Sequence, residues 1–196
     1  VNVSGFNSIT IKALRIVLGN NSLSSPIAVL LHNTNGTIVN NVTIIMANGS
    51  SILISNNANN NTVVNSTLQS ATSVALAWSG TAPDDNLIYN NLLNASLWVN
   101  VTTTGSKSNL WNTTKTAGRN IRGGGSLAGN YYANSTAGYS DTCADDIVDG
   151  ICDSSLVHDA NNTDFLALAP AKVNLSYVSP TLASNAIRAR NTTTVN

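Results

Sequence analysis

The sequence predicts an all-β solenoid closed by an irregular C-terminal cap. Short β-branched segments recur at a fixed spacing, helix signals are nearly absent, and acids and cysteines gather in one window near the C-terminal end.

The repeat comes first. Thr37-Ile38-Val39-Asn40-Asn41-Val42, Thr62-Val63-Val64-Asn65-Ser66-Thr67 and Leu87-Ile88-Tyr89-Asn90-Asn91-Leu92 line up, with Asn40, Asn65 and Asn90 set 25 residues apart. A weaker copy, Asn109-Leu110-Trp111-Asn112-Thr113-Thr114, follows at 22 residues. Ahead of each lies an apolar run: Ile27–Leu31, Ile52–Ile54, Val74–Trp78 and Leu97–Val101. Turn residues such as Asn33-Thr34-Asn35-Gly36 and Asn57–Asn61 separate the runs. One such unit cannot bury its own apolar face, but stacked units ~4.8 Å apart bury it and pair the backbone. Asn residues at matching turn positions can then stack into a ladder of amide hydrogen bonds.

Composition bounds the class. The 196 residues fit one domain, and 42% apolar content is enough for a core. Charged residues make up 9%, far below the ~25% of ordinary soluble domains. Net charge is zero and the nine basic residues are scattered, which excludes a nucleic-acid stripe. No run of ~18 apolar residues is present, so no membrane span is expected. The start at Val1 rather than Met points to a removed upstream segment.

Asn-x-Ser/Thr sequons occur at Asn2, Asn20, Asn35, Asn41, Asn48, Asn60, Asn65, Asn94, Asn100, Asn112, Asn134, Asn161, Asn174 and Asn191. A chain this rich in Asn, Ser and Thr also makes sequons by chance. N-linked glycans would supply the solvation that charge does not. Asn65 and Asn112 fall at the ladder position: either that position faces out, or those two carry no sugar.

Seven of the nine acids form the C-terminal cluster: Asp141, Asp145, Asp146, Asp149, Asp153, Asp159 and Asp164. Cys143 and Cys152 lie within it. A disulfide between them, within one chain or across copies, fits an oxidising compartment; two free thiols are the alternative. Asp141, Asp145, Asp149 and Asp153 recur every four residues, a hard-oxygen set that suits structural Ca²⁺, though without the order of an EF-hand. Backbone hydrogen bonds to the same carboxylates are the alternative. No cofactor is required.

Catalysis has little support. Asp84 and Asp85 are the only acids on the body, and adjacent strand residues point to opposite faces. They read as a turn after Pro83. His32 and His158 are isolated and read as surface histidines. Arg119 and Arg122, before Gly123-Gly124-Gly125, are the one lyase-like hint; the glycines read as a hinge into the cap.

The terminal segment resembles a known family. Gly129-Asn130-Tyr131-Tyr132, Asp149-Gly150-Ile151-Cys152-Asp153 and Asp164-Phe165-Leu166-Ala167-Leu168 are similar to the closing G-N-Y-W, D-G-I-x-D and D-x-x-P-L of NosD-like, pectate-lyase-like β-helix surface proteins. Tyr132 replaces the usual Trp, the Pro before Leu168 is missing, and the cysteines are additional. The resemblance spans roughly residues 26–170. It implies a right-handed parallel β-helix, here with a disulfide-stapled cap, and an archaeal envelope origin.

The expected organisation is an N-terminal strand or capping segment (1–25), β-helix rungs (26–122), an Asp/Cys-rich cap (123–170) and an extended tail (171–196). Ser8–Leu18 suits a strand or an amphipathic capping helix. Lys172–Val178 suits strand addition to a neighbouring copy, or folding back along its own solenoid. The expected function is a structural subunit of an extracellular cell-surface filament, sheath or surface layer, a homopolymer built by strand pairing between copies. A secreted polysaccharide-binding or polysaccharide-cleaving β-helix is the alternative. A copper-handling accessory role is disfavoured, because Met46 and two lone histidines are too few soft ligands.

Overall fold

The computed structural model describes residues 1–19, 23–81, 83–102 and 108–171. Sequons Asn20, Asn174 and Asn191 and the segment Lys172–Val178 lie outside the described residues. The first turn holds β1 (Asn2–Ser4), β2 (Thr10–Lys12) and β3 (Arg15–Leu18). The second holds β4 (Ile27–His32), β5 (Ile38–Asn40) and β6 (Thr43–Met46). Then come β7 (Ser50–Ser55), β8 (Thr62–Val64), β9 (Thr67–Ser79), β10 (Leu87–Tyr89) and β11 (Leu92–Val101). An antiparallel hairpin, β12 (Thr116–Ala117) and β13 (Ser126–Leu127), interrupts the last turn before β14 (Tyr131–Ala133). The cap adds α1 (Tyr139–Thr142) and the hairpin β15 (Leu156–Asp159) and β16 (Asn162–Asp164).

Every body strand pairs in parallel with its counterpart one turn away, giving a parallel β-solenoid of about four turns. One face runs β1-β4-β7-β9-β11, and another runs β2-β5-β8-β10. The remaining face runs β3-β6-β9-β11-β14, because β9 and β11 bend and serve two faces. Ser8–Leu18, open to helix or strand from its sequence, contributes β2 and β3. Pairing with β5 and β6 satisfies the backbone and places Ile11 beside Val39 and Ile16 beside Ile44.

The core is a set of vertical columns. Val3, Leu31, Ile54 and Trp78 are in register, as are Ile11, Val39, Val63 and Ile88. Ile16, Ile44, Leu68, Leu93 and Tyr132 form another. Most of these side chains are fully buried, each contributing ~1.5–3 kcal/mol. Aromatic residues end the columns: the Trp78 and Trp111 ring centroids are 5.1 Å apart, and those of Trp98 and Tyr132 5.7 Å.

Two of the connections between faces turn sharply and hold left-handed residues, whereas β9 and β11 bend through the third without one. Ser8, Gly36, Asn60 and Asp85 occupy one corner, each donating its N–H to the turn above. Ala13, Asn41, Asn65 and Asn90 occupy a second, and Gly5, Asn33, Asn56 and Gly80 open the same connection that the first set closes. Asn and Gly adopt positive φ most cheaply, which accounts for much of the Asn content. Asp85 belongs to this set, so the body's acid pair forms a corner.

The register corrects the repeat by one residue. Asn40 is level with Val64, and the interval between the first two copies is 24 rather than 25 residues. Asn109 is level with Asn86 at 23 residues, so Asn112 is not the counterpart of Asn90. Corners absorb single-residue insertions without disturbing the strands. An outer ladder still joins Asn40, Asn65 and Asn90: Asn65 Nδ2 donates to Asn40 Oδ1 (3.0 Å) and Asn90 Nδ2 to Asn65 Oδ1 (2.6 Å). Asn65 faces solvent, so its sequon lies on the surface, whereas Asn112 is half-buried.

A second ladder is buried. Asn86 Oδ1 accepts the backbone N–H (2.9 Å) and Nδ2 (3.0 Å) of Asn61, and Asn109 Oδ1 accepts the same pair from Asn86. Asn86→Ala would strip acceptors from the buried Asn61. Thermal or urea unfolding should show a loss of about 2–3 kcal/mol; a loss below ~0.5 kcal/mol would show that the ladder is dispensable.

Candidate functional site: the C-terminal cap

The cap closes the end at which the aromatic columns stop. Both interior ladders terminate in it. The first runs Asn61, Asn86, Asn109 and Asn162, with Asn162 Nδ2 held by the Asp159 carboxylate at 2.9 and 3.0 Å. The second runs from Ser66 through Asn91 and Asn130 to Asp164. Asp164 Oδ2 accepts the Asn130 backbone N–H (2.8 Å), Asn130 Nδ2 (3.2 Å) and the Tyr132 hydroxyl (2.9 Å), and its Oδ1 accepts the Leu166 N–H (3.1 Å). The cap hairpin thus supplies the last residue of each column of amides.

His158 lies inside this junction. Its ring centroid is 4.3 Å from that of Trp111, and Nε2 is 3.1 Å from the Tyr132 hydroxyl. The single phenol proton goes to Asp164, which leaves His158 Nε2 as the donor to Tyr132. The expectation of a surface histidine is therefore corrected: β15 turns His158 inward against the aromatic columns. His32 is half-buried, its Nδ1 beside Ser55 Oγ (3.1 Å).

The clustered acids act as hydrogen-bond acceptors. Asp141 Oδ1 accepts the Tyr131 hydroxyl (2.7 Å) and Oδ2 the Gly138 N–H (2.8 Å). Asp145 accepts the N–H groups of Asp149 and Gly150, and Asp153 that of Asp146. Asp149 accepts the Ile151 N–H and pairs with Lys115 Nζ at 2.6 Å. Burial would raise the Asp149 carboxyl, but the Lys115 hydrogen bond and backbone donors outweigh it and hold its pKa below the ordinary value. The structure does not bring Asp141, Asp145, Asp149 and Asp153 together: among the described residues no group of three or more His, Cys, Asp or Glu is arranged to hold a metal ion. Each carboxylate is committed locally, so the four-residue spacing reflects turn chemistry.

Cys143 and Cys152 are joined within the chain, with Cα atoms 5.5 Å apart. The glycine run is the tip of the β12–β13 hairpin rather than a hinge. Asn120 Oδ1 accepts the N–H groups of Arg122 and Gly124, and Gly123 takes positive φ. Arg122 lies over the Tyr131 ring, 4.5 Å from its centroid. Burial, then Asp141, pushes the Tyr131 hydroxyl up to about 12.

Of the sequons, Asn2, Asn35, Asn41, Asn60, Asn65 and Asn161 are exposed, and Asn48, Asn94, Asn100, Asn112 and Asn134 are half-buried. Asn48 Nδ2 donates to Leu23 O, and Asn112 Oδ1 accepts the Phe165 N–H. The junction of His158, Tyr132, Trp111 and Asp164 was not foreseen as a unit. Its sequence signal was the Gly129–Tyr132 and Asp164–Leu168 segments.

Two buried groups titrate in opposite senses. Burial pushes Asp164 up to about 6 and His158 down to about 4, the latter partly offset by Asp159. Asp164 therefore contributes stability that is present below pH ~4 and lost as pH rises through ~6. His158 contributes stability that is present above pH ~6.5 and lost as pH falls toward ~4. The two nearly cancel in the native chain. Denaturation midpoints between pH 4 and 6.5 should separate them. His158→Phe should become more stable on acidification and Asp164→Asn less stable, each by on the order of 2–3 kcal/mol. Slopes of the same sign would contradict the assignment.

A family model described as "Periplasmic copper-binding protein (NosD)" matches residues 2–137, the solenoid body without the cysteine loop. No curated protein and no solved structure gives a significant match. The residues present do not fit copper. Met46 is buried in the core, both cysteines are in the disulfide, and His32 and His158 are engaged separately. Titration calorimetry with Cu²⁺, and with Cu⁺ under reducing but disulfide-preserving conditions, should show no stoichiometric binding at micromolar protein; a saturable one-to-one isotherm would contradict this. By the match over its solenoid body, the chain belongs to the NosD family of parallel β-helix proteins.

Proposed function

We propose that this chain is a structural subunit of an extracellular cell-surface assembly, built by β-strand pairing between copies. The supporting observation is an asymmetry between the two ends. The far end is sealed by the aromatic columns, the cap hairpin and the disulfide. At the near end, among the described residues, no strand pairs with the outer edges of β1, β2 and β3. Phe6 and Val17 there are 64% and 50% exposed. An unpaired edge of this kind is a template for further strands.

The surface chemistry favours the same reading. With 9% charged residues, little repulsion opposes contact between copies. Exposed sequons would carry glycans on the corners and outer faces, and the description of the matching family as periplasmic supports a location outside the cytoplasm. Catalysis is not part of the reading. Tyr132 and Asp164 are fully buried, and Asp84 and Asp85 serve a corner. In this reading the disulfide stabilises each cap and does not weld one copy to the next.

Electron microscopy of the native secreted material, with and without reductant, tests the proposal. Regular polymers are expected, and on denaturing gels they should give the same single-chain band with and without reductant, with no disulfide-linked ladder. Dispersed monomers under all conditions would contradict it.

A further inference from the structure

We infer that the edge of β3, unpaired among the described residues, is a docking groove for the C-terminal segment Val173–Tyr177 of a second copy, an inference that rests on the assembly reading above. The groove is about 510 Å³ in volume and lies beside the first turn. Its walls are almost wholly apolar: Ile16, Leu18, Pro26, Ile27 and Ala28. β3 is the longest strand of the first turn, and its outer backbone groups can be identified. Leu14 O accepts the Thr43 N–H and Leu18 O the Ala47 N–H, so even-numbered residues face β6. Parallel pairing alternates sides, which turns the N–H and C=O of Arg15 and Val17 to the open edge.

The incoming segment has matching chemistry. Val173, Leu175 and Tyr177 alternate with Asn174 and Ser176. Laid beside β3, the apolar set extends the column of Ile16, Ile44, Leu68 and Leu93, and the polar set faces out. Main-chain bonds then supply affinity and the side-chain alternation fixes register.

Chain length selects a second copy over the chain's own tail. Leu168 is fixed at the cap, its N–H bonded to Asn130 O beside β14. From β14 to β3 the path crosses β11, β9 and β6, roughly 19 Å at ~4.8 Å per strand. A fully extended chain needs about six residues for that descent, so from Leu168 it arrives only at Asn174, too late to lay Val173–Tyr177 along β3. A copy stacked beyond the cap presents its β3 edge within a short reach. The contact is heterologous and does not close on itself, so it propagates into a filament.

Two full-length variants test it. Val17→Pro removes an outward N–H while leaving the β3–β6 bonds intact, and edge strands tolerate Pro there. Leu175→Asp places a charge in the apolar set of the tail. Wild type should sediment as polymers and each variant alone as a monomer. A one-to-one mixture should give a dimer, since one intact tail meets one intact edge; dimer formation also shows that both variants are folded. Polymers from either variant alone would overturn the docking inference while leaving the assembly reading standing, as would a mixture that stays monomeric beside polymeric wild type. Monomeric wild type would remove both.

Discussion

Stacking one backbone turn on the next in parallel is the constraint on which the rest depends. Each turn places at least three residues at positive φ, two or more in the connection leading into the short middle strand and one directly after it. Each corner also leaves nearby amides that the strand ladders cannot reach. The chain meets both demands with one residue type. Asn tolerates the left-handed region at Asn41, Asn65 and Asn90, and its side chain supplies the missing acceptors at Asn61, Asn86, Asn91 and Asn109. An uncharged amide does this without the desolvation cost of a buried carboxylate. The low charge and high Asn content are therefore consequences of the fold as much as of the surface.

A ladder of donors and acceptors must end somewhere. At the cap it ends in carboxylates, Asp159 and Asp164, which accept without needing a further acceptor of their own. Acids that would suggest a cation site are thus explained as terminators and turn acceptors. The aromatic residues Trp78, Trp111, Tyr132 and His158 fill the end of the core in the same way, replacing the next rung that is not there. At the opposite end no comparable plug covers Ile16 and Leu18 among the described residues, and the asymmetry gives the molecule a direction.

The solenoid was legible because its signal is repeated. Apolar runs at Ile27–Leu31, Ile52–Ile54 and Val74–Trp78 fall within β4, β7 and β9, and the ladder expected at Asn40, Asn65 and Asn90 is present. The exact register was not legible, since two adjacent Asn residues, Asn40 and Asn41, let the copies be aligned one residue out of step, and the real extra residue lies in the connection between β7 and β8, where Asn56 and Asn57 both take positive φ. The first turn was harder to read, because its β2 and β3 residues also fit helical spacing and only pairing with β5 and β6 decides between them. At the cap, the disulfide and the acceptor role of the acids were among the readings the sequence left open. His158 was missed because nothing local distinguishes an inward histidine in a hairpin from an exposed one.

The direction of stacking is the most direct physical consequence of this account. Copies joined along the solenoid axis place every strand across the axis of the assembly. Fibre diffraction from oriented native material should then show the inter-strand spacing of ~4.8 Å on the meridian, parallel to the fibre axis. The same spacing on the equator, with strands running along the fibre, would contradict assembly through the first-turn edge.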